Sequence, residues 1–171
     1  MTAGAALVGT YGLQAQGNNT NYVQFNFGTT AIPAAPTFDA RFYFRPNANN
    51  STGKDIFSAA TSGSFGTVLF RVRYRLNGGT PQVQIQVGTS NTNATWTNIL
   101  GGNSNNVFEV VWQSGVTLQL YVNGTLSQTL TAGAGSVAAI RLGSVTSTGA
   151  STLMHFDAFA SKRQTSPLVG P

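Results

Sequence analysis

The chain of 171 residues carries nine Lys and Arg against four Asp and Glu, a formal net charge of +5, with 41% hydrophobic residues and no cysteine. That apolar fraction excludes a disordered chain, and the missing thiols exclude disulfides, thiolate metal sites and a cysteine nucleophile. The length suits one domain able to bury roughly 70% of its unfolded surface. Charged residues are only 8%, against about 25% in an average protein, so polarity rests on Asn, Thr, Ser, Gln and Gly, as in surface or extracellular β proteins.

No stretch of a dozen residues spaces its apolar side chains as a helix does, whereas alternation with period two recurs throughout. In chain order, "GLQAQ" opens the series. "NYVQFNF" alternates Tyr22, Gln24 and Asn26 against Val23, Phe25 and Phe27, and "FDARFYFRP" sets Phe38, Ala40, Phe42 and Phe44 against Asp39, Arg41, Tyr43 and Arg45. "IFSAAT" follows Lys54 and Asp55. Next come "FRVRYRL" and "VQIQV", joined by "NGGTPQ", a strong hairpin signal. "VFEVVWQ" and "TLQLYVNG" flank Ser114-Gly115, and Asn123-Gly124 turns into "NGTLSQTL". "AAIRLGSV" and "LMHFDAFAS" close the series. Ten to twelve strands with short turns predict an all-β, two-sheet antiparallel sandwich or barrel. Residues 1–163 form one domain in this reading, and 164–171 a C-terminal strap or linker.

The loops between these strands are rich in Asn, Gly, Ser and Thr, as solvated turns are. They include Asn-X-Ser/Thr triplets at Asn18, Asn49, Asn50, Asn93 and Asn123, which chance produces in so Asn- and Thr-rich a chain. The opening "MTAGAALVGTYGLQAQ" lacks the basic start and long apolar run of a secretory signal, and no stretch approaches the ~20 apolar residues of a membrane span. A soluble chain without an export signal is the expectation. An exterior composition without a signal fits a removed signal, a fragment of a longer protein, or a virion protein released by lysis.

Three stretches in this order resemble the laminin G-like, concanavalin A-like jelly-roll family. They are "FDARFYFRP", the central "FEVVWQSGVTLQLYVNGTLSQTL", and "IRLGSV" followed by "MHFDAFAS", and the resemblance as a whole covers residues 8 to 163. The resemblance implies two antiparallel sheets packed face to face. Its members include lectins, carbohydrate-binding modules, adhesive modules, glycanases and virion surface proteins, and fold does not choose among them.

The residues narrow the choice. A glycanase needs two carboxyl groups at a defined separation; Asp39, Asp55, Glu109 and Asp157 offer no such motif, and Val110 and Val111 follow Glu109 where a second acid is required. His155 and Asp157, two apart on one strand, read as structural polar groups, so no catalytic residue is expected. Calcium, the usual ion of the family, wants six to eight oxygen ligands. Asn123 stands where relatives carry Asp, so no metal is expected, and Asp55 or Asp157 is the anchor if calcium binds. Nucleic acid is not expected as a partner, because no basic cluster or recognition module is present.

Sugar binding needs an aromatic platform beside amide or Arg donors. Trp96 in "NATWTN", with Asn93 and Asn98, is the candidate, the alternative being a loop aromatic folded over the open end of the sandwich. Trp112, in phase with Phe108 and Val110, reads as core. Arg71, Arg73 and Arg75 share one strand face, with Asp39 and Glu109 as the only plausible internal partners. Either they are solvated, or they meet an acidic protein surface, or they bind an anionic glycan. Replacing all three with Gln is expected to leave folding nearly intact. The expected function is a non-catalytic, lectin-like binding or structural module on a virion surface, such as a phage capsid decoration, minor capsid or tail adhesin protein. It would recognise glycans or dock on a capsid, within a homo-oligomeric assembly. The alternative is a secreted or cell-surface carbohydrate-binding module of a longer bacterial protein.

Overall fold

A computed structural model describes residues 5–27, 36–46, 53–89, 94–147 and 153–162. Twelve strands run through them: β1 (Leu13–Gln16), β2 (Asn21–Asn26), β3 (Thr37–Arg45), β4 (Lys54–Ala60), β5 (Val68–Asn77), β6 (Thr80–Val87), β7 (Thr97–Asn98), β8 (Asn106–Gln113), β9 (Thr117–Val122), β10 (Thr125–Leu130), β11 (Ala139–Ser144) and β12 (Leu153–Lys162). No helix among the described residues is long and apolar enough to cross a membrane. The strands form two six-stranded antiparallel sheets, ordered β1-β12-β3-β8-β9-β10 and β2-β11-β4-β5-β6-β7. Of the sandwich and barrel that the alternation allows, this is the sandwich, in the jelly-roll form that the resemblance implies.

Turn chemistry sets the hairpins. Gly78 and Gly79 both have positive φ, at 57° and 86°, and so do Asn123 and Gly124, at 52° and 81°. Two consecutive left-handed residues match the right-handed twist of the flanking strands, hence Gly-Gly and Asn-Gly at the β5–β6 and β9–β10 turns.

The core lies between the sheets. From the first sheet come Phe38, Phe42, Phe44, Phe108, Trp112 and Phe156, and from the second Phe57, Phe70, Val72, Tyr74, Val83 and Ile85, all buried. Aromatic pairs bridge the layers: Phe42 stacks on Phe57 at 5.5 Å, Phe44 meets Tyr74 edge-on at 5.1 Å, and Trp112 stacks on Phe70 at 6.2 Å. Each such ring stabilises the fold by about 1.5–3 kcal/mol through burial alone.

Two elements depart from simple alternation. β2 is exposed on both faces, with Val23 at 50% and Phe25 at 58%. It is the edge of its sheet, and its apolar face borders an open groove of about 400 Å³ lined also by Phe27, Ile140, Leu142 and Phe159. β4 is buried along its whole length, because a bulge between Asp55 and Phe57 admits Ile56 as an extra residue opposite β5. The bulge turns Phe57 inward opposite Val72 while Asp55 faces outward opposite Arg73.

Beside it, Lys54 is fully buried opposite Tyr74 and donates to Ser144 Oγ and the Thr146 carbonyl. Burial lowers its pKa to about 8, opposed by the neighbouring Asp55, and burial raises that of Tyr74 to about 12. Unfolded Lys54 regains its ordinary pKa of 10.5, so between pH 8 and 10.5 the unfolded chain binds more protons than the folded one. Stability therefore rises with pH across that window, by up to about 3 kcal/mol. Tyr74 acts in the opposite sense above its unfolded value of 10.0, where the unfolded chain loses its proton first. Urea midpoints measured from pH 7 to 11 are expected to peak near pH 10, and Lys54→Met to abolish the rise.

Candidate functional site

Phe70, Val72 and Tyr74 are buried against the other sheet, so Arg71, Arg73 and Arg75 are forced onto the outer face of the second sheet. There they meet an acid. Asp55 accepts from Arg71 Nη1 at 2.9 Å through Oδ2 and from Arg73 Nε at 3.0 Å through Oδ1. The expectation that Asp39 and Glu109 were the only plausible partners is thus corrected, since both lie on the first sheet. Asp39 pairs with Lys162 at 3.6 Å, and Glu109 stands in register with Arg41. Cross-strand register and the β4 bulge bring Asp55 to the arginines, and neither is encoded in local spacing. The side chain of Asp55 is 4% exposed and those of Arg71 and Arg73 are 22% and 25% exposed, so the triad is a largely dry ion cluster. Replacing all three arginines with Gln would leave the buried Asp55 carboxylate without a cation, so a loss of stability is the expected result rather than nearly intact folding.

Arg75 is held differently. Its Nε donates to Gln82 Oε1 at 2.8 Å and its guanidinium lies 4.3 Å over the Trp96 ring. Trp96 is half-buried, with its ring against Arg75 and Gly53. Gly53, with φ of 84°, makes the approach possible: a Cβ there would stand 3.2 Å from the indole and 3.4 Å from Arg73 Nη2. Gln82 also donates to Asn98 Oδ1 at 2.9 Å. Trp96 and Asn98 therefore share one surface with Arg73 and Arg75 of a separate strand. Asn93 lies outside the described residues, as do Asn50, Ser51 and the strap 164–171.

The loop carrying Trp96 is anchored from the opposite sheet. Gln128 of β10 is turned inward at a bulge between Leu126 and Gln128. Its Oε1 accepts from Ile85 N at 2.8 Å, and its Nε2 lies 2.9 Å from the Val83 carbonyl, 3.0 Å from that of Thr95 and 2.8 Å from Thr97 Oγ1. Gln84 Nε2 adds a bond to the Ala94 carbonyl at 2.6 Å. Sequence reasoning missed both β7 and this clasp; a two-residue strand has no periodicity, and Gln128 alternates like any surface amide.

The far end of the same face carries a fourth arginine, Arg141 of β11, also missed. Its guanidinium lies 3.8 Å from the Phe65 ring and 4.5 Å from the Tyr22 ring, and its Nε donates to Gln24 Oε1 at 2.9 Å. Through Ser58 it is in register with Arg71.

His155 and Asp157 are each engaged in hydrogen bonds within the fold. His155 Nδ1 accepts from Arg45 Nε at 3.2 Å, with Arg45 Nη2 at 2.9 Å, and its Nε2 lies 3.1 Å from the Gln14 amide. Burial and the Arg45 charge lower its pKa. Asp157 accepts from Leu7 N and Val8 N at 2.8 and 2.7 Å and from Ala158 N at 2.7 Å, stapling the N-terminal segment to β12. Neither proposed anchor suits calcium: Asp55 is saturated by two guanidinium groups that would repel the ion, and Asp157 by three backbone N–H groups. Among the described residues no group of three acidic, His or Cys side chains converges to hold a metal. Trp112 is buried, as its phase predicts.

The fold and this face define a jelly-roll β-sandwich with a polar, arginine-bearing sheet face. No protein family and no curated protein matches the sequence. Solved structures do match. The botulinum neurotoxin serotype D binding domain superposes with a TM-score of 0.65 at 10% identity, over 93% of this chain and 40% of that one. The cellulose induced protein Cip1 gives 0.63 at 14% identity, over 95% and 84% of the two chains. The alginate lyase AlgAT5 of polysaccharide lyase family 7 gives 0.55 at 14% identity, over 74% and 58%. The chain thus spans well under half the length of the toxin binding domain, and at these identities the likeness is one of fold.

Proposed function

We propose that the protein is a non-catalytic, lectin-like binding module of the laminin G-like type, which takes glycans on the outer face of its second sheet. The observation that carries this reading is the convergence there of Trp96, Arg75, Gln82 and Asn98: a partly exposed indole bordered by donors from separate strands, as sugar recognition needs. The non-catalytic reading is supported by the carboxylates, since Asp39, Asp55 and Asp157 are each bound by cations or backbone N–H groups. Glu109 lies on the sheet opposite the arginine face. The reading requires no metal.

We place the module on a virion surface, as a capsid decoration, minor capsid or tail adhesin protein. Its charge-poor, Asn- and Thr-rich, cysteine-free composition supports an exterior setting. A second setting, within a longer secreted or cell-surface protein, is favoured by the toxin binding domain, of which the superposition covers only 40%. Finding the chain in purified phage particles supports the first setting, and finding it in cell-wall or culture fractions supports the second. The binding reading is tested on a glycan array with Trp96→Ala as control. Binding is expected and the substitution should weaken it about tenfold. If no glycan binds, or the substitution changes nothing, the reading is wrong.

A further inference from the structure

The outer face of the second sheet repeats one device at its two ends. At one end the Arg75 guanidinium lies 4.3 Å from the Trp96 ring with its Nε donating to Gln82. At the other, that of Arg141 lies within 4.5 Å of both the Tyr22 and Phe65 rings with its Nε donating to Gln24. With Nε engaged, the terminal edge of each arginine, Nη1 and Nη2, is the part left to meet a ligand. That edge presents two parallel N–H groups, the fork that matches a carboxylate or sulfate. Neither arginine pairs with a carboxylate among the described residues; all four acids of the chain are described, and the one on this face, Asp55, is taken by Arg71 and Arg73.

The Arg141 end also stores strain. Phe65 has φ of 58°, a left-handed conformation costly for a bulky side chain, and the loop that holds it closes through Phe65 N to the Ser62 carbonyl and Thr61 N to the Thr67 carbonyl. Gln24, which pins Arg141, also donates to the Gly63 carbonyl of the same loop at 2.9 Å. The loop thus holds the Phe65 ring against the Arg141 guanidinium. Pre-organising an arginine in this way lowers the side-chain entropy lost on binding.

Resting on the glycan-binding reading, we propose that this face selects acidic polysaccharides. Arg75 and Arg141 form two anion subsites that grip carboxylate or sulfate groups of one chain laid diagonally across the sheet. Ladder spacing puts their Cα atoms roughly 16 Å apart, within the reach of an oligosaccharide.

The test is calorimetric titration of the full chain with polygalacturonate, heparin and cellulose hexasaccharides. At least one acidic probe is expected to bind about tenfold or more tightly than cellohexaose, with the preferred one telling carboxylate from sulfate. Arg141→Gln should cost about tenfold on the acidic probe and nothing on the neutral one, and Arg141→Lys should not rescue it. Phe65→Gly, which relieves the strained φ while removing the ring, should weaken acidic binding without loss of thermal stability. Equal binding of cellohexaose, or acidic binding indifferent to Arg141→Gln in a variant of unchanged melting temperature, overturns the proposal but leaves the glycan reading standing. Failure of all three probes overturns the proposal, and the glycan array then decides whether the broader reading falls with it.

Discussion

Asp55→Ala is expected to destabilise the protein by about 3–5 kcal/mol, the cost of breaking a buried ion pair by removing one partner. Asp55 holds two guanidinium groups at 2.9 and 3.0 Å. Without it, Arg71 and Arg73 stand side by side as largely desolvated like charges, with Arg75 next along the strand. The lower end of that range is the better expectation, because both arginines keep about a quarter of their side-chain exposure. Asp55→Asn retains hydrogen bonding but not charge and should fall between. Adding Arg71→Gln and Arg73→Gln to Asp55→Ala should recover part of the loss, since the repulsion goes with the charges. Urea unfolding of the set measures the coupling. A loss under about 1 kcal/mol for Asp55→Ala would mean that the three groups behave as a screened surface pair rather than as a dry ion cluster.

Gln128→Ala is the second large effect, at about 3 kcal/mol, equivalent to roughly 6–12 °C in melting temperature for a chain of this size. One amide serves the backbone of β6, the Thr95 carbonyl and the Thr97 hydroxyl, so its loss leaves several buried polar groups without partners. The same bonds fix the loop that lays Trp96 on Arg75. Gln128→Ala should therefore also change the near-ultraviolet signal of Trp96 and weaken glycan binding, although Gln128 lies on the opposite sheet. Gln128→Leu, which keeps the volume, should do no better. If stability falls while the Trp96 signal and binding stay unchanged, the clasp braces the sandwich but does not position the site.

Eleven of the twelve strands fall on stretches that the sequence marks as strands, and most of them send one face into the core and the other to water, β4 being buried throughout. The Gly78-Gly79 and Asn123-Gly124 turns were readable because few residues tolerate two successive positive φ values. Arg71, Arg73 and Arg75 had to share a face for the same geometric reason. β7 was not legible, since two residues show no period, and β2 alternates without burying a face because nothing covers that edge. The partner of the arginines was hidden by the bulge at Ile56, which sets the outward register of Asp55.

The sequence by itself determined the all-β antiparallel class, its hairpins, the aromatic core and the outward stripe of charge, all of which follow from local alternation and turn stereochemistry. Only the tertiary structure decided that Asp55 neutralises part of that stripe, that Trp96 lies on Arg75, and that Arg141 completes the same face between Tyr22 and Phe65. These are contacts between strands far apart in the chain. Their register is set by bulges, edges and the packing of two sheets, and no local pattern of residues carries that information.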